Sequence, residues 1–167
     1  MSQTENLAQS RALGDKTEDA VLQVVDGLQY VPDRDQEHAD AVAARTIDPR
    51  TALPSFIGLC LLERGTSVEI KSTMLELGSG RRGRFQIRRN QHDWLLANAG
   101  VYLFALCRPT YDRDLLELRI VPATLVDELD WTWRTASHER SRETYAQLTW
   151  TQIWSPSNVD TTEVIHA

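Results

Sequence analysis

Val21, Val24, Val25 and Leu28 recur at helical spacing, and Asp15 with Glu18 three positions on has the form of a capping box, so the pattern predicts a helix over 16–29. Residues 31–38 are polar and contain a proline, as a loop would be; 39–45 is a short apolar piece that either regular structure could use; and 46–55, with Pro49 and Pro54, reads as irregular. The run 56–62 is continuously apolar over strand length, Glu63-Arg64-Gly65-Thr66 has turn chemistry, and 67–73 alternates, which together predict a β-hairpin. After a Gly/Arg loop over 78–83, Arg84-Phe85-Gln86-Ile87-Arg88 alternates as a third strand. Asn90 then offers a cap to a helix over 91–99 that Gly100 stops. Residues 101–107 and 115–121 predict two more strands, and Pro122 suits the first turn of a helix reaching about Leu129.

The predicted order is helix, three strands, helix, two strands, helix, which is an α/β fold with a mixed sheet. Residues 1–14 look like a mobile tail, 15–154 a single domain and 155–167 a polar C-terminal tail; the tryptophan-rich stretch beyond Asp130 shows no clear period. A length of 167 residues with 41% apolar positions suffices for a substantial core without metal or disulfide staples. The longest apolar runs are far short of the roughly 20 residues of a membrane-spanning helix. The polar start of the chain lacks a secretory pattern, and a cytoplasmic location is expected. Cys60 and Cys107 lie within apolar runs and read as buried strand thiols, and no histidine has zinc-ligand spacing with a cysteine or another histidine.

The net charge is −6, with Lys16 and Lys71 as the only lysines and sixteen arginines making up the remaining basic residues. Such a chain as a whole repels a polyanion, so nucleic-acid binding would need local positive charge. Arg81, Arg82, Arg84, Arg88 and Arg89 place five arginines within nine residues. Guanidinium forks match phosphate oxygens, so this segment is the candidate nucleic-acid grip, with a solvated basic loop as the alternative.

The most informative segment is Val68-Glu69-Ile70-Lys71-Ser72. In a strand, Val68 and Ile70 enter one face while Glu69 and Lys71 emerge together on the other, roughly 6–7 Å apart. A carboxylate of this kind suits Mg²⁺, which is held by one or two carboxylates, waters and substrate phosphate oxygens. The neighbouring ammonium could orient a water or neutralise charge on phosphorus oxygens. The alternative is a solvated surface pair of little energetic worth.

A helix bearing an early Glu, a hairpin whose second strand reads V-E-I-K-S, then a strand and a helix beginning R-N-Q-H resembles the PD-(D/E)xK nuclease superfamily, in particular its resolvase-like branch, over about residues 17–121. The resemblance implies a restriction-endonuclease-like core, with a mixed central β-sheet flanked by helices in α-β-β-β-α-β order. It implies a metal-dependent DNA endonuclease using Mg²⁺, with Mn²⁺ as a substitute, and a homodimer for duplex cleavage. Glu69 matches the metal-binding acid, Lys71 the catalytic lysine, Glu18 an auxiliary acid and Gln91 a glutamine near the phosphate. Glu18 as a helix-dipole partner and Gln91 as an ordinary first-turn residue are the plain alternatives. The family also places an Asp on the first hairpin strand, where this chain has Pro54-Ser55, and Ser55 is a poor magnesium ligand. Asp48, twenty-one positions before Glu69, is the nearest upstream acid and the expected second ligand; as an Asp before a proline it equally suits a turn.

Two rival readings are a catalytically inactive nucleic-acid-binding module of the same fold, supported by Ser55, and an interaction domain with no nucleic-acid role. His92 reads as a surface residue at a helix start rather than a general base. Trp131, Trp133, Trp150 and Trp154 read as closing a core or dimer interface, with base stacking as the alternative.

Overall fold

The computed structural model describes residues 3–35, 37–47, 62–138 and 141–166. In chain order they form α1 (Gln3–Val24), β1 (Leu28–Tyr30), β2 (Ala41–Ala43), β3 (Ser67–Met74), β4 (Arg84–Arg88), α2 (Arg89–Ala97), β5 (Val101–Cys107), β6 (Leu115–Pro122), α3 (Ala123–Asp127), β7 (Arg134–His138) and β8 (Ser141–Thr149). A five-stranded mixed sheet runs β1-β2-β3-β5-β6, parallel only between β3 and β5, and a three-stranded antiparallel sheet runs β4-β8-β7.

The central sheet is covered on both faces, which is why β5 can be apolar and buried at every position. Its even-numbered neighbours in β3, Val68 and Ile70, join Leu103, Ala105, Val21 of α1 and Val25 just beyond that helix in one core. Tyr102, Phe104 and Leu106 point the other way, into a second core with Phe85, Ile87, Leu95, Leu148 and Trp154. Each large apolar side chain buried in these layers contributes about 1.5–3 kcal/mol. Glu69 and Lys71 stand opposite Tyr102 and Phe104 in the β3–β5 register, on the second face.

The architecture is the predicted mixed α/β one, but several segments build it differently. Helix α1 starts at Gln3, so Asp15 lies inside it rather than at a cap, and it ends at Val24 rather than 29. Ala8, Ala12, Leu7 and Leu13 carry ample helix propensity through the expected tail, and Gly27, at φ +100°, turns the chain into β1. The antiparallel neighbour of β3 is β2, from the short apolar piece of ambiguous type. Of the strand expected over 56–62 only Leu62 is described, and it bridges Ile47. The expected turn is present, with Gly65 at φ +92° and its N–H on Ala43 O. The third predicted strand, β4, belongs to the second sheet, where its inner residues Phe85 and Ile87 cap the second core.

Helix α2 begins two residues before the prediction. Asn90 does not cap it, because the extended residue before the helix is Arg88. The tryptophan-rich end contains the β7–β8 hairpin. The C-terminal tail is tied back as well, since Ile165 bridges Leu115 through a 2.8 Å backbone hydrogen bond. Among the described residues no helix is long and apolar enough to cross a membrane.

Gly83 marks a close approach between β3 and the start of β4. A Cβ there would fall 1.8 Å from Met74 O and 2.6 Å from Thr73 Oγ1. Because a backbone carbonyl is the obstacle, Gly83→Ala is expected to destabilise the fold by about 3 kcal/mol or more. A urea midpoint equal to that of the wild type would show that the two segments separate freely.

Candidate active site

The strand periodicity of β3 puts Glu69 and Lys71 on one face, and tertiary packing then buries Glu69 almost completely, with 1% of its surface exposed. Lys71 Nζ donates to Glu69 Oε1 at 2.5 Å and to Gln91 Oε1 at 3.2 Å. Gln91 reaches the lysine because α2 starts directly after β4 and is carried over the second face of the sheet. Three of the residues singled out from sequence are therefore in direct contact.

The second carboxylate comes from Asp40, at the entry to β2. Its Oδ2 accepts the Ile70 N–H at 2.7 Å, and its own N–H donates to Val68 O at 3.0 Å, so the hairpin pairing of β2 with β3 fixes Asp40 alongside the E-x-K segment. Glu18 approaches from α1, where its carboxyl feels the charges of both Asp40 and Glu69. Asp48, the expected second acid, and Ser55 lie outside the described residues. The sequence signal for Asp40 was slight: one acid ahead of Ala41-Val42-Ala43.

The electrostatics are those of acids crowded into a poorly hydrated corner. Burial first, then the Asp40, Asp15 and Glu69 charges, push the Glu18 carboxyl up from 4.5 to about 7, against a lowering by Lys71. Burial likewise lifts Glu69 to about 7, opposed by Lys71, reinforced by Asp40, and opposed weakly by Arg88. Asp40 is raised too, chiefly by burial and further by the Asp33 charge, although the Ile70 N–H, Lys71 and a side-chain hydrogen bond with Glu69, which needs a proton between the two acids, lower it. When the acids are ionised, Glu69 Oε2 is buried without a hydrogen-bond partner. Such an atom is costly unless a proton or a cation satisfies it.

Among the described residues no group of three or more His, Cys, Asp or Glu side chains is arranged to hold a metal ion. The donor set nevertheless fits a hard divalent cation. Glu69 offers an orphaned oxygen, Asp40 a second carboxylate, and Mg²⁺ takes its remaining ligands from water and phosphate.

The arginines are distributed rather than clustered. Arg81 and Arg82 are exposed in the β3–β4 connection, where Leu77 N–H bonds Arg81 O. That connection leaves β3 at its far end, roughly 10 Å or more along the strand from Lys71. Arg84 and Arg88 project from β4, Arg84 towards Gln147 Oε1 at 3.3 Å and Arg88 onto Glu143 at 2.6 Å. Arg88 is the one whose charge reaches Glu69. Arg89 pairs with Asp93 at 3.6 Å and stacks over Trp133 at 5.3 Å.

His92 is buried, not a surface residue. Its Nδ1 lies 3.0 Å from the Tyr102 hydroxyl and its Nε2 3.2 Å from Asp127 Oδ1, with Trp131 edge-on to the ring. It ties α2 to β5 and α3 next to Gln91, and sequence reasoning missed it because its partners come from distant segments. Trp150 and Trp154 are core residues, as expected. Cys107 is a buried thiol, pushed up to about 11 by burial, and Cys60 lies outside the described residues.

The family model of the PD-(D/E)XK nuclease superfamily domain matches residues 3–155. The chain belongs to this superfamily. The mixed sheet and its helices are consistent with a restriction-endonuclease-like fold, and membership implies a nuclease-type hydrolase of a kind that typically uses divalent metals. No curated protein and no solved structure matches the chain significantly.

Proposed function

We propose that the protein is a Mg²⁺-dependent DNA endonuclease that hydrolyses phosphodiester bonds at the Asp40–Glu69–Lys71 site. The observation that carries this reading is the pairing of Lys71 with Glu69 at 2.5 Å beside a hairpin-anchored Asp40, with Glu69 Oε2 left buried and unpartnered. A solvated surface pair has neither the burial nor the second acid.

Asp40 and Glu69 would hold the ion, with Glu18 as an auxiliary acid. A divalent ion bound there acidifies water and withdraws charge from phosphate oxygens. Lys71, fixed between Glu69 and Gln91, presents its ammonium to the attacking water or to a phosphoryl oxygen, stabilising negative charge as the water oxygen bonds to phosphorus and the P–O bond to the leaving alkoxide breaks. Gln91 holds the lysine, and Arg88 adds positive charge at the rim of the site. The inactive-module alternative drew its support from Ser55, and Asp40 supplies a second carboxylate independently of that position.

Lys71→Ala and Glu69→Ala are each expected to lower magnesium-dependent cleavage of duplex DNA by about 10²–10⁴-fold while circular dichroism shows a retained fold. Cleavage at the wild-type rate by both variants would refute the assignment.

A further inference from the structure

Directly paired residues of an antiparallel sheet share a face. In the second sheet, Phe85, Ile87, Ala146 and Leu148 fill the core, so the opposite face is left to the residues between them. Arg88, Tyr145 and Arg134 form one row across all three strands, Gln86 and Gln147 the next, and Arg84 begins the third. All six are exposed or half-exposed. Glu143, paired to Arg88, is the only acid among the described residues of this face. A face carrying three arginines and one acid stands out in a chain of net charge −6.

The row spacing also has a physical match. Arg84 and Arg88 lie about 13 Å apart along β4, and Arg88 and Arg134 about 10 Å apart across the strands. These spans cover about three to four steps of a nucleic-acid strand, at about 3.4 Å each. The glutamines and Tyr145 between them are neutral donors suited to phosphate and sugar oxygens. The face reaches towards the candidate active site at Arg88, whose charge acts on Glu69 and after which the chain runs straight into α2, whose Gln91 touches Lys71.

We infer that the outer face of the second sheet, with Arg84, Arg88 and Arg134 as its charged points, is the surface on which the phosphate backbone of the DNA substrate lies as it enters the site. This deepens the nuclease reading and rests on it for the identity of the substrate. It adds Arg134, from a hairpin with no recognisable sequence period, to the nucleic-acid contacts, and it separates the strand arginines from Arg81 and Arg82.

The test measures binding of a fluorescein-labelled DNA duplex by anisotropy in EDTA across a salt series, and cleavage of the same duplex in magnesium. Arg84→Gln/Arg134→Gln is compared with Arg34→Gln/Arg64→Gln, which removes the same charge from exposed positions elsewhere. The first variant is expected to bind about tenfold more weakly, with a log–log salt slope shallower by about 0.9 per arginine removed, and the control to bind like the wild type. Equal slopes and affinities in wild type and Arg84→Gln/Arg134→Gln, or the same loss in the control, overturn the inference while the nuclease reading stands on cleavage. Arginine-dependent binding with no cleavage in any divalent metal leaves the docking face and removes the nuclease. Absence of wild-type binding at low salt removes both.

Discussion

Asp40→Asn is expected to abolish metal-dependent cleavage, with a loss of about 10³-fold or more, comparable to the loss from Glu69→Gln. The substitution is nearly isosteric and leaves a carbonyl oxygen to accept the Ile70 N–H, so the β2–β3 pairing persists and the fold is retained. What it removes is one negative charge beside Glu69. An ion held by two carboxylates loses half of its charged ligands, and a metal titration by calorimetry should show weaker Mn²⁺ binding in parallel with the lost activity. Asp48→Asn provides the contrast. If Asp40 is the second ligand, Asp48→Asn retains most of the wild-type rate. Loss of activity in Asp48→Asn together with a fully active Asp40→Asn would return the role to Asp48.

The contrast between those two acids shows what the sequence could and could not convey. Glu69 and Lys71 were readable because two-residue periodicity is local: Val68 and Ile70 are apolar, so their neighbours must share the other face. Gln91 was legible only through the family resemblance, because a glutamine in the first turn of a helix carries no signal of its own. Asp40 was obscure because β2 has three residues, too few to establish alternation, and because residues 44–66 separate β2 from β3 in the chain. The apolar run 56–62 immediately before β3 is the partner that local pattern suggests, and 56–61 lie outside the described residues; the described antiparallel partner is β2, with Ala41 opposite Val68. His92 shows the same limit, since its burial depends on Tyr102, Asp127 and two tryptophans from other segments. The β7–β8 hairpin was hidden because its outer face is largely polar and only Ala146 and Leu148 mark its inner one.

A site built from buried acids should also be a liability to the fold when no cation is present, and that predicts a specific dependence of stability on pH. The Glu18 and Glu69 carboxyls rise from 4.5 to about 7 on folding, mainly because burial penalises their charged forms. Between these values the native state binds more protons than the unfolded chain, so stability falls as pH rises. Their favourable setting is therefore complete below about pH 4.5 and is lost as pH passes through 7. For Glu69 the difference is on the order of 3 kcal/mol, and Glu18, more open to solvent, contributes less. In a chain of this size that corresponds to roughly 10 °C in melting temperature. Glu69→Gln is accordingly expected to melt higher than the metal-free wild type at pH 8, with the gap closing at pH 5, although it no longer cleaves DNA. Saturating magnesium should raise the wild-type melting temperature at pH 8, have little effect at pH 5, and leave Glu69→Gln nearly unchanged at both, because protonated acids do not bind the ion. Melting curves for wild type and Glu69→Gln that run parallel across this pH range, with and without magnesium, would mean that Glu69 is neither strained by its burial nor relieved by a metal.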